Sequence, residues 1–181
     1  PALCGGILLL YLFGLFGLLK PGIAAVALCG AVSAGYCLVR CVHGRTLFLR
    51  QWLTPAMLLA LVGVAYIAWV QRGRLVMGND EFSHWAVTVK MMTHLDTLSI
   101  TQPDRMHFPD YPPATALLEY LFVRLTPNFT EGYLYRALNL LQLSLLLPYL
   151  GRFNLRRFGL ACAGTGALFL LPLAFYGEFY T

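Results

Sequence analysis

Charge is what this chain has least of. Only 12% of its 181 residues are Asp, Glu, Lys or Arg, whereas 59% are apolar, and the mean hydropathy is +0.67. A soluble domain carries roughly 25% charged residues, and a domain this small exposes too much surface to manage without them. The shortage excludes a disordered chain and an ordinary cytosolic enzyme, and makes an integral membrane protein the default. Cysteines are absent from the one long polar segment. Cys4, Cys29, Cys37, Cys41 and Cys162 all fall in apolar stretches or at their ends, which excludes a disulfide-stapled secreted domain. Cys37 and Cys41 share a helix face, but no His or further Cys stands at ligand spacing to complete a metal set.

Five stretches are nearly free of charge: 2 to 19, 21 to 39, 51 to 71, 132 to 150 and 158 to 177. Each is close to the roughly 20 residues that cross a bilayer core. Arg136 is a lone charge one turn inside the fourth. No basic segment precedes the first stretch and no small-residue cleavage site follows it, so it is not read as a signal peptide. It is expected to be a helix ending in a tight turn at Lys20-Pro21-Gly22, with the next helix starting at the proline. Pro1 in place of Met and the apolar ending Phe179-Tyr180-Thr181 lead us to expect a chain truncated at both ends, the N-terminal portion of a longer protein.

Acids are missing from two short loops. Arg40, His43, Arg45 and Arg50 lie between the second and third stretches, and Arg152, Arg156 and Arg157 between the fourth and fifth. Lys and Arg in short loops stay cytoplasmic, so the N-terminus is expected inside and residues 72 to 131 outside, in a multi-pass protein of the plasma membrane. All eight carboxylates then face outward, seven of them in that one segment. The expected architecture is all-α and polytopic: three transmembrane helices over 1–71, an extracytoplasmic loop over 72–131, and two transmembrane helices over 132–181. The loop is too long for an idle connection and carries two interfacial helices, at about 82–95 and 113–125. In the first, Phe82, Trp85, Val89 and Met92 form an apolar stripe opposed by Ser83, Thr88 and Lys90. The second starts at a proline, carries Glu119 and Arg124, and is too short to span.

Three constellations in the loop bear chemistry. In Asp80-Glu81-Phe82-Ser83-His84-Trp85 the two acids and His84 stand three and four residues apart and converge on a helix start. Adjacent carboxylates supply a general base or hold a divalent cation, Mg or Mn, with the imidazole joining either task; Asp80 equally suits a plain helix cap. In Asp110-Tyr111-Pro112-Pro113 the prolines fix an extended approach that holds Tyr111 at a set angle to the next helix. Arg72, Arg74, Lys90 and Arg105 are basic residues on the outer side, suited to an anionic headgroup or phosphate.

Together these motifs resemble the GT-C class of integral-membrane glycosyltransferases, over about Met77 to Tyr120. The likeness is to bacterial members with an aromatic-or-His-Pro-Pro signature, a group that includes the dolichyl-phosphate-mannose-like and aminoarabinose transferases. The acids here follow the third stretch instead of the first, are adjacent instead of Asp-x-Asp, and the Pro-Pro element opens with Tyr111 instead of His. The resemblance implies a hexosyl- or pentosyltransferase that uses a lipid-linked sugar donor and no nucleic acid. It puts the catalytic carboxylate at Asp80 with Glu81 beside it, and the Pro-Pro element at Pro112 and Pro113. Beside it, His84, Trp85, Lys90, Arg105 and Tyr111 are expected to contact substrate, with anchoring at the membrane interface the competing role for Trp85 and Tyr111. The developing phosphate charge would be met by Lys90, by Arg105 or by a metal on Asp80, Glu81 and His84. The rival readings are a transporter or channel domain, which needs ionisable groups inside its spans, and a polysaccharide polymerase or ligase.

Overall fold

The computed structural model describes residues 2–43, 54–78, 80, 84–101, 104, 111–150 and 158–166. Among these the chain is entirely helical: α1 (Ala2–Leu15), α2 (Leu19–His43), α3 (Pro55–Val70), α4 (Ala86–Leu95), α5 (Ala114–Arg124), α6 (Gly132–Leu150) and α7 (Phe158–Thr165), with a 3-10 turn at Ser99–Thr101. One helix, over Leu19–Arg40, is long and apolar enough to cross a membrane; Ala2–Leu15 and Ala56–Val70 are apolar but shorter. At 1.5 Å per residue, α1 spans roughly 21 Å and α2 more than the roughly 30 Å of a hydrocarbon core.

The first turn falls earlier than Lys20-Pro21-Gly22. Gly17 takes φ +70°, its N–H donates to the Gly14 carbonyl over 3.0 Å, and Leu18 N–H donates to the Phe13 carbonyl over 2.9 Å. This glycine-terminated cap satisfies the last carbonyls of α1. The chain then re-enters a helix at Leu19, and Pro21 sits in the first turn of α2, where its missing N–H costs nothing. Thr54 begins α3, its hydroxyl accepting the Met57 N–H over 3.2 Å, with Pro55 at the first helical position.

The chain divides into two compact units, one of Pro1–Val32 with Gln71–Leu138, the other of Ser33–Val70 with Asn139–Thr181. In the second unit Ile67 and Leu143 are buried together with Tyr66, Leu140 and Leu146 around them, and Ala56 packs with Leu59 and Leu147. Rising positions of α3 meet falling positions of α6, so these stretches run antiparallel.

In the first unit α5 packs against both α1 and α4. Instead of the single apolar face expected of an interfacial helix, α5 is buried from Ala116 continuously to Leu121 and again at Val123. Neighbours on two sides cover it beyond the exposed Ala114 and Thr115. Its junction with α4 is polar. Asp96, in the left-handed conformation at the end of α4, accepts the Tyr120 hydroxyl over 2.7 Å and an ion pair from Arg124. Burial first, and then the Asp96 carboxylate, push the Tyr120 phenol well above its ordinary pKa.

Candidate functional site

Asp80 is exposed and already helical, and His84 and Trp85 form a wide π-type turn at the head of α4. Such turns take carbonyls off the regular ladder and recur at functional sites. The His84 carbonyl is taken up by the Thr88 hydroxyl, which donates to it over 2.8 Å. That bond lets Thr88 be buried, although the sequence pattern put it on the polar face of the helix. A hydroxyl that returns its hydrogen bond to its own helix carries little penalty inside.

Trp85 stacks on Tyr111 with ring centroids 5.5 Å apart and planes 9° from parallel. His84 is buried and meets both rings edge-on, Trp85 at 4.7 Å and Tyr111 at 4.9 Å. Aromatic contacts of this kind add about 0.5–1.5 kcal/mol each beyond the area they bury. The acidic-His-Trp motif and the Tyr-Pro-Pro motif, far apart in sequence, thus share one aromatic cluster.

Tyr111, Pro112 and Pro113 line an apolar groove of about 620 Å³, together with Ile7, Leu8 and Tyr11 of α1 and Leu117 of α5. Pro113 also opens α5, its carbonyl accepting the Leu117 N–H over 2.8 Å. The double proline therefore both starts a helix and forms a wall. No family model matches this sequence, and no curated protein or solved structure matches it. The functional reading rests on the geometry of the chain's own residues.

Of the expected site residues, His84, Trp85, Tyr111, Pro112 and Pro113 come together at this cluster and groove. Asp80 stands just ahead of the π-type turn. Glu81 and Arg105 lie outside the described residues. The metal set of Asp80, Glu81 and His84 includes one of these, and among the described residues no three His, Cys, Asp or Glu side chains gather to hold a metal ion. The His84 ring packs edge-on against two aromatics as a third member of the cluster.

Lys90 lines a different cavity. Its ammonium donates to Glu131 Oε1 over 2.9 Å and lies 5.5 Å from the centre of the Phe129 ring. This second cavity, of about 610 Å³, is also lined by Arg72, Arg74 and Arg136. Glu131 Oε2 accepts the Val76 N–H over 2.8 Å. That amide first, and Lys90 second, hold the Glu131 carboxyl below its ordinary pKa.

Two residues lining this cavity, Arg136 and Glu131, were not singled out from sequence, nor was the burial of Glu119, which lines neither cavity. Arg136 was visible only as a charge inside an apolar stretch, and Glu131 only as an acid ahead of a helix. Glu119 is buried to 2% exposure in the middle of α5. Nothing in its neighbours' pattern signals that, because burial there depends on which helices cover α5.

Proposed function

We propose that this protein is a polytopic membrane glycosyltransferase of the GT-C kind, moving a sugar from a polyprenyl-phosphate donor to an acceptor on the extracytoplasmic side with inversion. The observation that carries the reading is the stack of Trp85 on Tyr111. It joins the acidic motif to the Tyr-Pro-Pro element beside an apolar groove, an arrangement suited to a reaction at the membrane face. The apolar walls from α1, Pro112 and Pro113 suit a prenyl chain, and the Trp85 and Tyr111 rings suit a sugar face.

Membrane insertion of α2 and α3 is supported by what they leave uncovered. Leu28, Val32 and Leu38 of α2 and Leu61, Val62 and Trp69 of α3 are each more than half exposed. Apolar surface on that scale is costly in water and costs nothing against lipid.

In the mechanism, Asp80 accepts the proton of the acceptor hydroxyl while the hydroxyl oxygen attacks the anomeric carbon in line. The bond from that carbon to the phosphate oxygen breaks, and polyprenyl phosphate leaves with the electron pair. Glu81 is the alternative base. The test is sugar transfer by the full-length protein from polyprenyl-phosphate-linked hexoses and pentoses. Asp80→Asn should lower kcat by roughly 10²–10⁴-fold, the usual worth of a general base, and Glu81→Gln much less. The reverse order would move the base to Glu81. Absence of transfer by the wild type from every such donor would remove the reading.

A further inference from the structure

The second cavity shares no lining residue with the groove, so its purpose is open whatever the groove does. Its charge is one-sided. Arg72, Arg74, Lys90 and Arg136 line it, and among the described residues Glu131 is the one carboxylate in the lining. A cavity whose described walls are mostly cationic attracts an anion.

Three of these cations are held in place by flat rings. The Arg74 guanidinium lies 4.6 Å from the centre of Tyr135 and that of Arg136 4.8 Å from Tyr133, with Lys90 over Phe129. Rings that fix a guanidinium plane reduce the entropy lost when it binds, and the planar fork of Arg matches phosphate oxygens in pairs. Arg74, Lys90 and Arg136 come from three separate places in the chain: the segment after α3, α4, and the first turns of α6. An accidental run of basic sequence does not explain that convergence.

We propose that this cavity binds a phosphate group, with Arg72, Arg74 and Arg136 as its ligands and Glu131 as an internal competitor for Lys90. The volume is larger than a lone phosphate needs, so the phosphate is either a lipid headgroup or a free ion bound with water. The proposal does not rest on sugar transfer.

The experiment uses the full chain in maltoside micelles, which carry no phosphate. It is titrated by calorimetry with inorganic phosphate, with short-chain phosphatidylglycerol, and with the matching diacylglycerol, which lacks phosphate. Saturable binding of the first identifies a free ion; binding of the second alone identifies a headgroup. Either is expected to weaken with added salt. Arg72→Gln, an exposed position, should weaken binding roughly tenfold, the worth of one charged hydrogen bond. Lys20→Gln, which removes the same charge outside the cavity, should leave it unchanged. Glu131→Gln should lower Kd by releasing Lys90, a gain that mere loss of structure cannot produce. The proposal is overturned if neither phosphate probe binds, if diacylglycerol binds equally well, or if Arg72→Gln and Lys20→Gln act alike.

Discussion

Glu131 receives the Val76 amide on one carboxylate oxygen and Lys90 on the other, so a single side chain ties together the segment after α3, the middle of α4 and the start of α6. The two bonds differ in worth. Val76 is buried, and an amide left without an acceptor there costs about 1–3 kcal/mol. The Lys90 side chain is 51% exposed, and such a pair contributes less than about 1 kcal/mol. Glu131→Ala should therefore lower the melting temperature clearly, while Glu131→Gln, which keeps an acceptor for Val76, should lower it only slightly. The depressed pKa sets the sign of the pH effect. The stabilisation is complete above the ordinary glutamate value of 4.5 and is lost as pH falls through the lower value in the fold. Melting curves of the wild type should show a loss of stability in that acidic range that Glu131→Gln lacks. None of this was legible in sequence. Glu131, Val76 and Lys90 have no shared pattern, and only folding brings them within hydrogen-bond reach.

The polar loop holds two described α-helices, each opening after a local signal in the sequence. Ala86–Leu95 and Ala114–Arg124 compare with the expected 82–95 and 113–125, because proline starts and apolar spacing are local signals. Their surroundings were not legible. Thr88 reads as polar but is buried through its bond to His84, and α5 reads as amphipathic but is enclosed by α1 and α4. The start of α6 shows the same dependence on distant chain. A β-carbon added at Gly132 would collide with the Gln71 carbonyl oxygen, a backbone atom in the turn just after α3 that cannot turn aside. Gly132→Ala should destabilise the protein by about 1–3 kcal/mol, the range for forced overpacking. Because the obstacle is backbone, repacking of side chains will not relieve it. The check is denaturant unfolding of the variant beside Gly159→Ala, where the added carbon meets nothing and little loss is expected.

At the scale of the whole molecule, the shortage of charge and the exposed leucines and valines of α2 and α3 are the features on which the proposed membrane insertion rests. If the apolar helices lie in lipid, membranes bearing the full-length protein should keep it in the pellet after an alkaline carbonate wash, and a nonionic detergent should release it. Release by carbonate alone would remove the polytopic reading and with it the proposed site at the membrane face. The described lengths bear on how the helices sit. α2 is longer than a hydrocarbon core is thick, whereas α1, closed early by Gly17, is shorter. A helix of that length spans only where the bilayer thins around it.

The sequence alone determined the apolar class of the chain, its helical composition, and the presence of an acidic-His-Trp and a Tyr-Pro-Pro motif in one polar segment. Composition, spacing and proline are properties of neighbouring residues, and they act before any tertiary contact forms. Tertiary structure alone decided that Trp85 stacks on Tyr111, that Pro112 and Pro113 share a groove with α1, and that Lys90 joins Arg72, Arg74 and Arg136 instead of the aromatic cluster. Those outcomes depend on which faces of α1, α4, α5 and α6 meet. Many remote side chains set that choice together, and no local pattern records it.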